Sequence, residues 1–306
     1  MIVTDSGAVP TVWRRSPAWV RGGADDSTED VHLRAGAALA LLDAEVRRAA
    51  AWRGAWLDRL ALEAAAATLR LVRRAEDIGE IRDAHHLRRP GDDPGPAGRI
   101  YALWRRLPAG RPSLDPADLA HGLERSGLSW SDDLDRLATA AAAAPADRSP
   151  LSAALHLLAA VPAPRLDDLP AVLWIADTLL ARRARWPVGV PLLARAAGPL
   201  TRGTASGSAQ DRLQVVAAYG RTAVEALGMA RAVAAQATAL QGVAGRLRAK
   251  GAPAVIAALL DQDSVSPGQP IRHMTDRALR RLFDRLVALG AVRELTGRGT
   301  FRLYGL

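Results

Sequence analysis

Residues 275–306 read TDRALRRLFDRLVALGAVRELTGRGTFRLYGL, and the hydrophobic period changes partway along. Thr275 can cap a helix Asp276–Leu289 in which Leu279, Leu282, Phe283 and Leu286 share one face, at about 100° per residue. Arg277, Arg280, Arg281 and Asp284 fall broadly opposite. Gly290 ends that helix. Ala291–Leu295 then reads as a strand, Thr296-Gly297-Arg298-Gly299 as a hairpin-type turn and Thr300–Tyr304 as a second strand. Upstream, Ala252–Gln262 is an apolar helix carrying Val255, Ile256, Leu259 and Leu260, followed by a turn-rich stretch Ser264–Pro270. Helix, turn, helix and two-stranded wing is the layout of a winged helix-turn-helix. Pro267, Gly268 and Pro270 fall where the helix before the recognition helix belongs. That helix is therefore expected to be short, Ile271–Met274, or replaced by an irregular turn.

In such a motif the second helix enters the major groove, where arginine pairs with guanine edges or holds phosphates. The expected contacts to duplex DNA are Thr275, Arg277, Arg280 and Arg281 on the helix, with Arg298 and Arg302 on the wing. The charge distribution agrees. The chain of 306 residues has 41 Lys and Arg against 32 Asp and Glu, a net charge of +9, and its only lysine is Lys250. Gln241–Leu306 alone holds 11 basic and 5 acidic residues, so most of the excess sits at the C-terminal end. A localised excess is the form in which charge argues for a polyanionic partner. A blander reading stays open: an arginine-rich face is also the ordinary solvated side of a helix in a GC-rich genome, and winged helices also dock protein.

The rest of the chain reads as helical. Residues 1–26 form a loose arm, with Pro10, Pro17 and Gly22-Gly23 against Trp13 and Trp19, which are expected to pin it to the body. A first helical subdomain spans 27–148. It holds helices from a Ser27 or Thr28 cap to about Ala50, from about Gly54 to Ala75 and from Glu76 to Leu87. A Pro/Gly/Asp loop follows at 88–96. Helices resume in Gly98–Leu107, Pro116–Arg125 behind an Asp115 cap, and Asp132–Ala144. Pro145 to Pro150 marks a boundary. A second subdomain, 149–249, holds Leu151–Val161, Leu169–Ala184, Val190–Ala197 and a long helix at about 210–240, the last preceded by a small polar linker Thr201–Ser208. The winged helix occupies 250–306. The expected fold is all-α, a multi-helix bundle body ending in a winged helix-turn-helix.

Four stretches carry a family resemblance: AGAALALLD at 35–43, WLDRLAL at 56–62, Arg82-Asp83-Ala84, and RPGDDPGPAG at 89–98. They resemble the domain of unknown function 1403 family, alpha-proteobacterial and often plasmid-borne, over most of the chain. The ending Arg293–Gly305 is also similar to a plasmid-associated family with a helix-turn-helix, whose front half is similar to the helical region preceding Fic domains. Neither resemblance implies a reaction or catalytic residues. The second implies a DNA-binding tail.

Several chemistries are excluded at motif level. With no cysteine, a disulfide scaffold, an iron–sulfur centre and a thiol enzyme are ruled out. None of the six histidines, His32, His85, His86, His121, His156 and His273, opens a Fic motif. Lys250 follows Ala249 rather than the glycine of a phosphate-binding loop, and Gly-x-Ser-x-Gly is absent. Asp83, His85, His86, Asp92 and Asp93 are metal-type ligands in one span, but their spacing matches no metal motif. The structural alternative joins Arg88 or Arg99 to Asp92 or Asp93. Trp52 and Trp56, four apart, suit either a ligand cage or core packing, and core packing is favoured, as it is for Trp174 and Trp186. The long helix suits a dimer seam or an internal bundle, and that choice stays open.

Met1–Pro10 has no basic stretch followed by an apolar one, so it is not expected to be a secretory leader, and the longest uncharged stretch, about Ser149–Pro164, is too short to span a bilayer. The expectation is a cytoplasmic, non-enzymatic protein without cofactor or membrane association. It binds duplex DNA as a regulator or accessory factor of a plasmid or other mobile element. The alternative is a helical interaction module, homodimeric or bound to another protein, whose winged helix docks protein.

Overall fold

The structure, a computed structural model, describes residues 16–23, 26–88, 91–145, 149–160, 164–196, 208–272 and 274–306. Among these it holds eleven α-helices and one two-stranded antiparallel sheet near the C-terminus. The chain divides into two compact units. The larger comprises Pro17–Arg48 and Leu60–Leu227, and the smaller comprises Ser16, Ala49–Arg59 and Gly228–Leu306.

Side-chain caps set most helix starts in the larger unit. The Asp30 amide donates to Ser27 Oγ at 3.1 Å, and the Asp30 carboxylate accepts from the Ser27 amide, so a capping box opens α1 (Thr28–Arg47). After α2 (Arg53–Leu71), Asp77 and Glu80 build the same reciprocal pair at α3 (Ile78–His86). The Pro/Gly/Asp loop ends earlier than expected, because α4 runs Gly95–Arg106 with Pro96 in its first turn. A first-turn proline forfeits only an N–H that has no intrahelical partner, so it starts the helix rather than breaking it. Asp115, Ser131 and Ser149 cap α5 (Pro116–Glu124), α6 (Asp132–Ala143) and α7 (Pro150–Ala159).

The centre of the larger unit is α8 (Leu169–Arg183), which packs on α4, α6, α7 and the turn at Leu193–Ala196. Every residue from Pro170 to Ala181 is buried, as a helix must be when neighbours surround it. One of them is Asp177, wholly buried. Its carboxylate accepts the amides of Leu192 at 2.8 Å and Leu193 at 3.0 Å. Those two bonds and Pro191 explain why the helix expected over Val190–Ala197 does not form in its described part, Val190–Ala196. The amides are committed to Asp177, the residue before a proline avoids helical backbone, and only a 3-10 turn, Leu193–Ala196, remains. The long helix α9 (Ala209–Ala244) buries Val216, Tyr219, Ala223, Val233, Ala237 and Leu240. At Gly220 an added Cβ would come within 3.0 Å of the Ala35 Cα, which holds α1 and α9 in close approach.

The smaller unit is built from Ala49–Arg59, the later part of α9, α10 (Ala252–Asp261), α11 (Asp276–Ala288) and the sheet. Leu279, Leu282, Phe283 and Leu286 form the buried face of α11, as the period requires. Phe283 stacks on Tyr304, ring centroids 4.4 Å apart. The strands β1 (Arg293–Glu294) and β2 (Tyr304–Gly305) pair antiparallel, Arg293 opposite Gly305 and Glu294 opposite Tyr304. Both are shorter than their sequence pattern. Glu294 turns its carboxylate onto the Thr296 amide at 2.7 Å and the Gly297 amide at 3.0 Å, which starts the turn early. Phe301 has φ +56°, outside extended backbone, which delays the second strand. Between Ser264 and Thr275 the described residues form turns, Gln269 to Ser266 and Met274 to Ile271, and no helix.

The N-terminal expectations divide. Trp19 lies in a 3-10 turn, Ala18–Arg21, and is 52% exposed, so it pins nothing; Val20 is the buried residue there. Trp13 and Pro10 in the arm, Pro90, the linker 201–207 and His273 lie outside the described residues.

Candidate functional site

The arginines singled out from the sequence lie in the smaller unit. The Ala278 amide donates to Thr275 Oγ1 at 3.3 Å, so the Thr275 hydroxyl is engaged in capping α11. One turn on, Arg277, Arg280 and Arg281 are exposed, and Arg285 joins them. Among the described residues none of these four side chains makes a hydrogen bond or ion pair within the protein. Exposed guanidiniums of this kind keep their full donor set for a partner outside.

The turn between β1 and β2 supplies two more exposed arginines. Arg302 Nε donates to the Arg298 carbonyl at 3.0 Å. The Tyr304 hydroxyl beside Arg302 raises its guanidinium above the usual range, with Asp284 and Glu294 adding smaller effects. Burial alone would push the Glu294 carboxyl up. The Thr296 hydroxyl and the Thr296 and Gly297 amides outweigh that and hold it low, so Glu294 stays ionised and keeps the turn closed.

Between this turn and α11 lies a groove of about 520 Å³, lined by Pro267, Arg280, Asp284, Phe301, Arg302 and Tyr304. Phe301 is 70% exposed. The sequence reading missed this feature. Period-two alternation places Phe301 with buried Leu303, and only the left-handed backbone at 301 turns its ring outward.

The acidic and histidine-rich span resolves into structural contacts. Asp93 pairs with Arg99 at 2.8 Å and accepts the Gly95 amide at 3.0 Å; Arg99 chiefly holds its carboxyl below the usual range. Arg88 donates to the Asp92 carbonyl at 3.1 Å. His85 is largely buried; that burial, then the charge of Arg105, pushes its imidazole down to about 3. The ring is neutral at pH 7, and its Nε2 accepts from Arg105 at 2.5 Å. Among the described residues no group of three His, Asp or Glu side chains is arranged to hold a metal ion. Trp52 and Trp56 meet edge to face at 6.3 Å, both buried, which is core packing. Trp174 and Trp186 are buried as well.

Among the described residues no helix is long and apolar enough to cross a membrane. No curated protein matches the chain. The family described as Protein of unknown function (DUF1403) matches residues 4–306, nearly the whole length, and the chain belongs to that family.

Proposed function

We propose that the protein is a non-enzymatic DNA-binding regulator or accessory factor, acting in the cytoplasm for a plasmid or other mobile element. On this reading residues 250–306 work as a winged helix on duplex DNA. The observation that carries the reading is the exposed face of α11, where Arg277, Arg280 and Arg281 stand without internal partners among the described residues. The pairing of Val265 with Tyr304, by hydrogen bonds of 2.8 and 2.9 Å, supports it. It ties the segment before α11 to the strand after it, so the helix is gripped from both chain directions with its arginines outward. Arg298 and Arg302 would reach the flanking phosphates. Thr275 caps the first turn as an acceptor, and its hydroxyl proton would be the contact to DNA at the helix start.

A second reading, that this module docks protein, is favoured by exposed Phe301 and its groove, since aromatic anchors in pockets dominate protein interfaces. The two separate by salt. Fluorescence anisotropy of a labelled duplex across a salt series is expected to give a log affinity that falls steeply with log salt. The Arg277→Ala/Arg281→Ala variant is expected to flatten that slope by roughly 0.9 per lost phosphate contact. The same variant should unfold within about 0.5 kcal/mol of wild type, because these side chains have no partner among the described residues. Absence of binding even at low salt would reject the DNA reading in favour of protein docking.

A further inference from the structure

The larger unit has an open cleft of about 1030 Å³, walled by the segment Arg111–Asp118, by Ala142 of α6 and by the end of α8. Four arginines line it: Arg111, Arg182, Arg183 and Arg185. Arg183 Nη2 donates to the Ala144 carbonyl, and among the described residues its buried Nε has no hydrogen-bond partner. Arg111, Arg182 and Arg185 are exposed and make no side-chain hydrogen bond or ion pair among the described residues. Two carboxylates share the cleft, and both are already engaged. Asp115 caps α5 through the Ala117 amide at 2.8 Å, and Asp118 accepts from the Ser113 hydroxyl at 2.6 Å.

The floor of the cleft is held from several directions. Arg185 has φ +54° and closes α8, with the Trp186 amide donating back to the Ala181 carbonyl at 3.0 Å. That position normally suits glycine. An arginine there keeps a guanidinium at the rim of the cleft at a conformational cost, and such strain gathers at functional sites. Arg47 clamps the same turn by donating to the carbonyls of Ala184 at 2.9 Å and Arg185 at 3.3 Å, while Trp186 Nε1 donates to Asp43 at 2.8 Å. The guanidiniums therefore line a concave space whose backbone is fixed before any ligand arrives.

We propose that this cleft binds a small ligand carrying two or more phosphate groups. Forked guanidiniums match phosphate oxygens two at a time. Four of them against two aspartates leave a positive excess that one monoanion would not neutralise. The concavity favours a compact ligand over a nucleic-acid backbone. The site lies in the other unit from α11, so it stands or falls apart from the DNA reading.

Isothermal titration of the full-length protein with inorganic pyrophosphate, and separately with ATP, tests the proposal. Pyrophosphate is expected to bind, with Arg182→Gln and Arg185→Gln each weakening it about tenfold, the loss of one charge-assisted contact. The double variant should weaken it about a hundredfold with an unchanged melting temperature. Tighter binding of ATP than pyrophosphate would identify the source as a nucleotide, and equal binding a phosphate chain alone. The proposal is overturned if neither probe binds, or if the Gln variants bind as tightly as wild type. It also falls if Arg277→Ala/Arg281→Ala, and not the cleft variants, abolishes binding.

Discussion

Arg59 and Arg281 belong to the same compact unit and carry the same guanidinium, but they are used in opposite ways. Arg59 is 16% exposed. Its Nε donates to Asp263 at 2.8 Å, its Nη2 donates to the Leu306 backbone oxygen at 2.7 Å, and Asp263 is wholly buried. Arg281 sits on the outer face of α11 with no partner among the described residues. The first joins segments 204 positions apart in sequence, and the second has its hydrogen-bonding capacity unspent. In a chain whose basic charge is nearly all arginine, the partners and not the residue type separate scaffold from candidate site.

Arg59→Ala is expected to show the contrast most strongly. Asp263 would stay buried without its facing cation, and removing one member of a buried pair costs about 3–5 kcal/mol. Urea unfolding followed by far-UV circular dichroism measures this. Arg59→Lys should recover little, because an ammonium lacks the planar fork that reaches both acceptors. A loss below about 1 kcal/mol would put Arg59 among ordinary surface pairs and erase the contrast.

The next effect lies in the larger unit, where Asp177 is the interior acid to set against these arginines. Burial pushes its carboxyl up to about 7, against the pull of the Leu192 and Leu193 amides. The folded state then keeps a proton that the unfolded chain releases near the ordinary carboxylate range. The stability contributed by that proton is full at low pH and is lost as pH rises toward 7. His85, pushed down to about 3, acts in the opposite direction, because the unfolded chain takes up a proton the folded ring refuses. Comparison with Asp177→Asn separates the two. The His85 contribution is common to both proteins, and asparagine retains an acceptor for the two amides. Between about pH 5 and 7.5 the variant should gain on wild type by on the order of 2 kcal/mol. A constant difference in urea midpoint would mean that Asp177 is ionised in the fold throughout.

What could be read in the sequence follows from the range of the interaction. Caps act over three residues, so Ser27, Asp115 and Thr275 announce α1, α5 and α11 in the letters themselves. The period of 3.6 likewise sorts Leu279, Phe283 and Leu286 from Arg277 and Arg281. Longer-range chemistry leaves no such mark. Asp177 stands alone in the apolar run VLWIADTLL, which signals a buried acid, but nothing nearby says that it will take the amides of Leu192 and Leu193 and undo a helix there. Nor does Ala49–Arg59 show that it belongs with residues 228–306. That grouping rests on contacts such as the Asp263 amide donating to Asp58 at 3.0 Å, and on Gly54, where any Cβ would collide with the Asp261 backbone. The arginines of α11 were legible as a face, and the lack of side-chain partners for Arg277, Arg280 and Arg281 among the described residues was not.

The smallest effect concerns Thr275, which stands between the two uses of a polar side chain. Its hydroxyl accepts the Ala278 amide at the start of α11. Thr275→Ala should therefore cost about 1 kcal/mol in urea unfolding, and Thr275→Ser should restore it. On the proposed DNA reading, fraying of the first turn would also loosen Arg277, so duplex affinity should fall only modestly, and serine should recover it in step with stability. If affinity falls far more than stability, the hydroxyl touches the nucleic acid as well, and the interface extends past the arginine face to the helix start. If both change together, Thr275 belongs with Arg59 as scaffold, and the proposed recognition surface begins at Arg277.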